Sequence, residues 1–359
     1  MLFLNNDDVA KLLTIEDCIE VIEDAYKELG AGRAAQFPME GRMDLGAPSP
    51  GPELNRRFGW GAMAGVYPKG EMFALRMKLD IHYQQEQPGG GRTSEKFCVQ
   101  PGTYCGLVLL ASTRNAEPLA IVNDGIIQHL RVGATAGMAA RYLAKAESHV
   151  LGMIGSGGMA RTYARAYCAV LPIKRIRVYS LTPAHRDAYA WEMSERLGVP
   201  VVAVGSAEEA ARGADIVADC TDSMTPVFKG GGWVEEGMHI TTYGANRIGA
   251  EVVRRADVVV RHFKGTISVQ VGREEGEEER QWRERNPASI GFEEMPLLVD
   301  VVAGHIPGRS DDRQVTCFYN VVGSGITFPA VGAKLYQRAR QQGLGREMPT
   351  EWFLQDIRD

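Results

Sequence analysis

The chain has 359 residues, a length that predicts one large or two medium domains. Of these residues, 45% are hydrophobic and 24% charged, which is the composition of a globular protein. Its formal net charge of -5 argues against a general nucleic-acid or anionic-membrane binder. The six cysteines lack metal-ligand spacing, no apolar run approaches the roughly 20 residues of a membrane span, and the N-terminus lacks the regions of a signal peptide. We therefore expect a cytoplasmic protein with reduced thiols, no metal ion, no nucleic-acid partner and no membrane partner.

The first third of the chain predicts an α+β unit. A helix begins after a cap at Thr14, because the apolar residues of "IEDCIEVIEDAY" recur at helical spacing and Asp17 completes a capping box; Gly30 ends the helix. The Pro- and Gly-rich stretches "LGAPSPGPELNRRFG" and "QQEQPGGGRTSEKF" are expected to be loops. The apolar stretches "YCGLVLLAS" and "PLAIVND" are expected to pair as hairpin strands.

Between the two expected loops, "ALRMKLDIHY" alternates apolar and polar residues, which predicts a strand with one polar face. Arg76 and Lys78 share that face, where fixed cations would suit a substrate carboxylate and a proton donor for a carbonyl or imine. The alternative is an edge strand with a solvated face. Arg131 lies among small residues in "QHLRVGATAGM", so we expect a buried guanidinium that needs an anion, either a structural carboxylate or a ligand.

From residue 126 onward, strands alternate with helices. Repeated alternation of this kind predicts a parallel, doubly wound sheet. The predicted strands are Val150–Ile154, Ile176–Tyr179, Val201–Val204, Ile216–Ala218, His239–Tyr243 and Val258–Val260. The charged run "GREEGEEERQWRER" (272–285) is expected to be solvated and without chemistry, and "FPAVGAKLYQRARQQGLG" is expected to be an amphipathic helix that packs back on the first unit.

A glycine-rich turn in "VLGMIGSGGMAR" joins a predicted strand to a predicted helix. Its residues Gly155, Ser156, Gly157, Gly158, Met159 and Ala160 follow the G-x-G-x-x-A variant of the dinucleotide fingerprint. Gly155 permits the tight turn, Gly157 lets the backbone approach a diphosphate, and Ala160 allows close packing of helix on strand. The positive end of the helix then holds the diphosphate.

The end of the second strand of this unit bears on the choice between NAD and NADP. An acidic residue there would accept hydrogen bonds from the adenosine ribose. The stretch "VYSLTPAHR" has Ser180 and Thr182 instead of an acid, and Arg186 follows one turn into the helix, where it would face a 2′-phosphate. We therefore expect NADP or NAD, with NADP favoured.

Several motifs in order along the chain resemble the ornithine cyclodeaminase/mu-crystallin family. They are "EGRMDL", "RMKLD", "HLRVGATAGMAARYLA", "GMIGSGGMAR", "GADIVADCTDS" and "YGANRIGAEV", and together they extend over nearly the whole chain. The resemblance implies an α/β fold in which a Rossmann doubly wound sheet (126–325) is inserted in an α+β substrate-binding and dimerisation domain (1–125 plus 326–359). It also implies a homodimer that binds NAD or NADP and acts on a small amino acid or its imine.

The resemblance assigns roles to individual positions. Arg42, Lys78 and Arg131 match the residues that contact the substrate carboxylate and imine, and Arg76 shares the strand face with Lys78. Gly155 to Arg161 match the diphosphate loop. Thr221, Asp222 and Ser223 match the loop beneath the nicotinamide ribose.

Asn246 stands where cyclodeaminases of this family carry an aspartate within a "GAD" turn. An amide cannot act as a general base, although it can donate or accept a hydrogen bond at this catalytic position. The Pro-Gly-Lys that usually follows is replaced by "RIGAE". These departures favour hydride transfer, as in an imine reductase or amino-acid dehydrogenase. The alternatives are a cyclodeaminase that releases ammonia and forms a cyclic amino acid, and a non-catalytic nucleotide-binding protein like mu-crystallin.

Overall fold

The computed structural model describes residues 1–37, 40–46, 54–86, 92–223, 225–244, 248–262, 266–271, 295–321 and 323–357. The strands of these parts, in chain order, are β1 (Leu2–Leu4), β2 (Ala35–Gln36), β3 (Glu40–Gly46), β4 (Leu54–Tyr67), β5 (Met72–Glu86), β6 (Arg92–Cys98), β7 (Gln100–Pro101), β8 (Cys105–Ser112), β9 (Pro118–Asn123), β10 (Val150–Ile154), β11 (Arg175–Tyr179), β12 (Val201–Ala203), β13 (Ile216–Asp219), β14 (His239–Thr242), β15 (Val258–Arg261), β16 (Thr266–Val271), β17 (Thr316–Tyr319) and β18 (Arg346–Glu347).

The helices connect these strands and cover both sheets. In chain order they are α1 (Asn6–Leu12), α2 (Ile15–Gly30), α3 (Asp124–Leu143), α4 (Gly158–Val170), α5 (Pro183–Leu197), α6 (Ala207–Ala211), α7 (Ala250–Arg254), α8 (Leu298–Val302) and α9 (Thr327–Gln342). Short 3-10 turns occupy Pro68–Gly70, Gly231–Trp233 and Thr350–Phe353. Over the described ranges, none of the helices combines the length and apolar character that a membrane crossing requires.

In the part of the chain that the structure describes, the first sheet has eleven strands and is mixed. Its main order is β16-β3-β4-β5-β8-β9-β1-β18, and β6 pairs with β5 at the end of that strand. Helices α2 and α9 pack together on one face, where α2 buries an apolar stripe that includes Ile19 and Ile22. The predicted capping box is confirmed, since Thr14 Oγ1 accepts from the Asp17 amide at 3.2 Å and Asp17 accepts from the Thr14 amide at 3.0 Å.

Two expected loops of the first unit are partly wrong. Residues 54–59 belong to β4, and residues 84–86 and 92–97 belong to β5 and β6. The long antiparallel ladder between β4 and β5, with Phe58 opposite Ile81, holds these polar and Gly-rich ends in strand conformation. The edge-strand alternative for β5 is also wrong, because β4 and β8 flank this strand.

Among the described residues, the second sheet has seven strands in the order β12-β11-β10-β13-β14-β17-β15, and all of these neighbouring pairs are parallel. The prediction of a doubly wound parallel sheet is confirmed, and its six predicted strands end within about one residue of the observed ones. Strand β17, which lies between β14 and β15, was not predicted. Strand β1 and helix α1 at the start of the chain were not predicted either.

Helix α3 joins the two sheets and contacts both α2 and α4. A Cβ atom on Gly133 would lie 2.5 Å from Thr162 Cγ2, and one on Gly137 would lie 2.9 Å from Ala166 Cβ. These glycines therefore permit α3 and α4 to approach closely. Strand β16 lies within the segment 126–325 and pairs with β3 of the first sheet. The division of the chain into two domains stays a prediction. The charged run 272–285 lies outside the described residues.

Candidate active site

The glycine-rich turn has the geometry that a dinucleotide loop needs. Gly155 has a φ of +105°, and a Cβ atom there would lie 2.8 Å from the carbonyl carbon and oxygen of Cys220. A Cβ atom on Gly157 would have nothing within 4 Å, so this backbone faces open space. Helix α4 begins immediately afterwards at Gly158. The turn and the exposed N–H groups of the helix end therefore fit a diphosphate.

The next residues brace this turn. Ala160 is fully buried, and its carbonyl accepts from the Tyr189 hydroxyl at 3.0 Å. Arg161 donates to the Ser156 carbonyl at 2.5 Å and pairs with Glu192 on α5 at 2.7 Å. The Arg161 guanidinium thus ties the loop to the neighbouring helix, whereas its contact with a cofactor stays a prediction. Met159 is half-buried beside these residues.

The segment after β11 carries no acidic side chain between residues 180 and 186. Arg186 lies one turn into α5, donates to the Ser180 carbonyl at 3.2 Å and has its guanidinium carbon 5.9 Å from the Tyr179 ring centre. Thr182 is the exposed cap residue of the helix, and its side chain makes no capping hydrogen bond. The segment after β11 is therefore cationic and carries hydroxyl groups, and its contact with a cofactor stays a prediction.

The loop after β13 lies beside the glycine-rich turn. Thr221 donates from its amide and hydroxyl to Asp219 Oδ1, at 3.0 and 2.8 Å. Asp222 is exposed, and Ser223 donates to the Thr225 carbonyl at 2.7 Å. The backbone of Ser223 also forms an antiparallel bridge with Thr93 of β6. The structure therefore brings the predicted ribose loop into contact with the first unit.

The polar face of β5 forms the opposite side of the site. Lys78 lies opposite Gly61 of β4 and Gly106 of β8, so neither neighbouring strand places a side chain beside it. Arg42 of β3 also lies opposite Gly61. The backbones of Arg42 and Lys78 are therefore about 10 Å apart, twice the strand spacing, and both residues belong to the same face.

The Lys78 ammonium contacts the Asp80 carboxylate on the same face, with Nζ 3.0 Å from Oδ2. Asp80 is buried, which by itself raises its pKa. The nearby His82 ring, with Nδ1 3.6 Å from Asp80 Oδ1, and the Lys78 charge outweigh burial and hold the pKa of Asp80 well below its usual range. Asp80 is therefore an anion at neutral pH.

Arg76 is almost fully buried and forms an ion pair with Asp124 at the start of α3. Its Nε and Nη2 atoms lie 2.8 and 2.7 Å from Asp124 Oδ2. The Tyr104 hydroxyl donates to the same oxygen at 3.4 Å. The structure thus gives the predicted substrate residue Arg76 a carboxylate within the protein, and its role in substrate binding stays a prediction.

Arg131 is buried on α3, as the sequence predicts, with 1% of its surface exposed. Its Nε and Nη2 atoms donate to Gln128 Oε1 at 3.1 and 2.6 Å, and its guanidinium carbon lies 4.5 Å from the Phe328 ring centre. An amide oxygen and an aromatic ring fix the direction of this guanidinium.

His129 is a site neighbour that the sequence analysis missed. A Cβ atom on Gly158 would lie 2.5 Å from His129 Cε1, so only glycine fits beside this ring at the start of α4. Burial lowers the pKa of His129, and the charge of Lys96 acts in the same direction, so the neutral ring is favoured. Its position follows from the packing of α3 on α4, and no local pattern predicts it.

Asn246 lies outside the described residues, so its role stays a prediction. Strand β14, which precedes it, ends at Thr242, whose hydroxyl donates to the Gly244 carbonyl at 2.7 Å. The parallel strands place this turn at the same edge of the sheet as the glycine-rich turn. Within the described ranges, no group of three His, Cys, Asp or Glu side chains is placed to hold a metal ion.

Known proteins share this architecture. The model of the ornithine cyclodeaminase/mu-crystallin family matches residues 92–343. A Delta(1)-pyrroline-2-carboxylate reductase of Bacillus cereus is 29% identical over 251 residues, which are 68% of this chain and 74% of the relative. An alanine dehydrogenase of Archaeoglobus fulgidus is 26% identical over 97% of this chain and 98% of the relative. The structure of Thermococcus litoralis Delta(1)-pyrroline-2-carboxylate reductase in complex with NADH and L-proline has a TM-score of 0.76 at 28% identity, with 97% of this chain and 100% of that chain covered.

Proposed function

Because this chain belongs to the ornithine cyclodeaminase/mu-crystallin family, we propose that it is an NAD(P)-dependent oxidoreductase that interconverts a small amino acid and its imine or keto acid. One observation carries the proposal. The cationic face around Lys78 belongs to the first sheet, and the glycine-rich turn belongs to the second. The bridge between Thr93 of β6 and Ser223 of the loop after β13 joins an element beside the cationic face to an element beside the turn. A substrate on that face would thus lie within reach of a dinucleotide in the turn.

Three cations would hold the substrate. Arg42 and Arg131 would bind the carboxylate, because a guanidinium pairs with a carboxylate through two parallel hydrogen bonds and so fixes its orientation. Gly61, which lies opposite Lys78 on β4, has no side chain that would occupy the place of the substrate carbon and nitrogen. Bound NAD(P)H supplies hydride chemistry, and the protein supplies orientation. Lys78 Nζ would donate a hydrogen bond to the imine nitrogen or carbonyl oxygen.

Asn246 would contribute a hydrogen bond at the substrate and no general base. A reductase needs no base at this position in the reducing direction, whereas ring closure with loss of ammonia does. The absence of a carboxylate at residue 246 in the sequence therefore supports hydride transfer over deamination.

A cofactor-oxidation assay tests the proposal. The purified chain would be given NADPH or NADH with five- and six-membered cyclic imino acids, with pyruvate plus ammonia or simple amines, and with iminosuccinate. We expect turnover of at least one of these substrates, and its loss in Lys78→Met while nucleotide affinity is kept. Nucleotide binding without turnover of any imine or keto acid would support a non-catalytic protein. Release of ammonia and proline from ornithine without net cofactor oxidation would support a cyclodeaminase, and Asn246→Asp should raise that activity.

We propose NADP rather than NAD as the preferred cofactor. The segment 180–186 has no acid to accept from ribose hydroxyls, and Arg186 lies beside the Ser180 carbonyl. We expect Arg186→Glu to weaken NADPH affinity at least tenfold and to leave NADH affinity nearly unchanged. Arg196→Glu, at the exposed far end of α5, is the matched control. Equal loss for both nucleotides would contradict the preference.

We propose that the protein is a homodimer that pairs through the outer face of the first sheet. Large apolar side chains are exposed there on neighbouring strands: Met43 (44%), Leu45 (47%), Phe58 (37%) and Leu75 (36%). A sheet face of this kind needs cover, and two copies of one apolar face suit a two-fold interface. Leu45→Lys should give a monomer in light scattering, whereas Trp191→Lys, on exposed α5, should not. A wild-type monomer would overturn the proposal.

We also propose that the two sheets bind different ligands: the first sheet binds the substrate, and the second sheet binds the nucleotide. The buried ion pair between Arg76 of β5 and Asp124 of α3 supports the first assignment, and the turn after β10 supports the second.

A cytoplasmic location is consistent with the six cysteines, all of which are free thiols. Cell fractionation of the tagged chain tests this location.

A further inference from the structure

A chain of ionisable side chains extends from Lys78 across the polar face of the first sheet. Lys78 Nζ lies 3.0 Å from Asp80 Oδ2, His82 Nδ1 lies 3.6 Å from Asp80 Oδ1, and His82 Nε2 lies 3.6 Å from Asp44 Oδ1. We call these four residues the Asp80 cluster. The imidazole and the ammonium therefore approach different oxygens of the same carboxylate.

Burial differs sharply within the Asp80 cluster. The Asp80 side chain is 0% exposed, Lys78 is 17% exposed and His82 is 32% exposed. A fully buried carboxylate is costly unless charged or hydrogen-bonding partners compensate it. An ion pair at the surface does not require a buried carboxylate. The buried position of Asp80 beside Lys78 therefore indicates a function of this pair beyond that of a surface ion pair.

The neighbouring strand leaves space for this arrangement. Gly59 of β4 lies directly opposite Asp80. A Cβ atom on Gly59 would lie 3.0 Å from Asp80 Oδ1 and 2.9 Å from His82 Nδ1. Any larger residue at position 59 would push the carboxylate and the imidazole out of place. Strand β4 therefore accommodates the contact between Asp80 and His82.

We propose that Asp80 is a positioning residue that holds Lys78 charged and directed towards the substrate, with His82 fixing the orientation of Asp80. The inference rests on the proposed function, because it assigns Lys78 as the group that contacts the reacting nitrogen or oxygen. Asp80 itself neither gives nor takes a proton. Its negative charge favours the ammonium form of Lys78, and its fixed oxygen restricts the rotamers of a flexible side chain.

Other charges face the Asp80 cluster from neighbouring strands. Lys96 of β6 lies opposite His82, and its charge also lowers the pKa of Asp80. Asp44 of β3 approaches His82 from the other side, and Arg57 of β4 lies opposite His82. These groups are the same in the wild type and in a variant of Asp80. A change in the alkaline limb of the pH profile between the two proteins therefore reports on the loss of the Asp80 charge beside Lys78.

The test is Asp80→Asn, which keeps the shape and removes the charge. We expect kcat to fall about tenfold to a hundredfold, which is less than the roughly 10²–10⁴ that a positioned acid or base contributes. We also expect the alkaline limb of kcat/KM to move to lower pH, because the anion that favours charged Lys78 is gone. NADPH affinity should not change. His82→Gln should cause a smaller loss of kcat in the same direction.

The matched control is Glu95→Gln, because Glu95 pairs with Tyr83 and belongs to the opposite face of the β5–β6 pair. Its kcat and pH profile should equal those of the wild type. If Asp80→Asn fails to fold, Gly59→Ala is the substitute, and its kcat should fall with the same alkaline shift. An active wild type, an inactive Lys78→Met and an unchanged pH profile in the Asp80 or Gly59 variant would overturn this inference alone. No imine turnover by the wild type would overturn the proposed function.

Discussion

Breaking the buried ion pair between Arg76 and Asp124 should destabilise the protein by about 3–5 kcal/mol, because either single substitution leaves an uncompensated charge in the core. The side chains of Arg76 and Asp124 are 4% and 0% exposed, so water cannot replace the lost partner. In Arg76→Met, Asp124 keeps the N-terminus of α3 and the Tyr104 hydroxyl, which places this variant near 3 kcal/mol. In Asp124→Leu, the buried guanidinium loses the carboxylate of Asp124, which places this variant at about 5 kcal/mol.

The double variant Arg76→Met/Asp124→Leu should lie within about 2 kcal/mol of the wild type, because apolar groups of similar size replace both charges. Urea unfolding of the four proteins measures these values, and a thermal scan should show losses of about 2–4 °C per kcal/mol. Single variants that cost less than about 1 kcal/mol, or a double variant as unstable as their sum, would refute the reasoning. The substrate KM of the double variant decides the role of Arg76: an unchanged KM makes it a structural residue, and a large increase makes it a substrate ligand.

Two further predictions concern the nucleotide turn and the first helix. Gly155→Ala should weaken nucleotide binding more than tenfold in a fluorescence titration, because a Cβ atom would clash with Cys220 at 2.8 Å. The control is Gly198→Ala, which has a positive φ as well but nothing within 4 Å of the added Cβ atom, and its nucleotide affinity should be unchanged. Equal losses of affinity in the two variants would contradict the steric argument. Burial raises the pKa of Asp17, but the Arg338 hydrogen bond helps to bring it below its ordinary value, so the pair stabilises the fold above about pH 4 and loses this effect as pH falls through the folded pKa. Arg338→Met should therefore cost about 1 kcal/mol in urea unfolding at pH 7 and less at pH 2, and an equal cost at both pH values would contradict this origin.

The sequence was sufficient for elements whose signals are local. The parallel strands β10, β11, β13 and β14 are short apolar runs between turn residues, and their bounds were predicted within about one residue. The helix after Thr14 was predicted because its cap and its apolar stripe both lie within the segment itself. The glycine-rich turn was recognisable because its chemistry requires a fixed spacing of small residues.

Long antiparallel pairing was not predictable in the same way. The polar end of β4 looks like a loop by composition, yet Phe58 pairs with Ile81 and the strand continues. A residue far away in the chain supplies the hydrogen bonds there, so local composition gives no warning. Strand β17 was missed for a related reason, because its insertion between β14 and β15 depends on the order of strands in the sheet.

The family and the glycine-rich turn could be recognised from the amino-acid sequence, since both depend on motifs of fixed spacing. The partners of the charged side chains could be recognised only in the folded structure. In the fold, Arg76 contacts the carboxylate of Asp124, Arg131 donates to the amide oxygen of Gln128, and Asp80 lies in the interior beside Lys78. Electrostatic partners depend on distances between strands and helices that lie far apart in the chain, and a buried charge takes its effect from those partners.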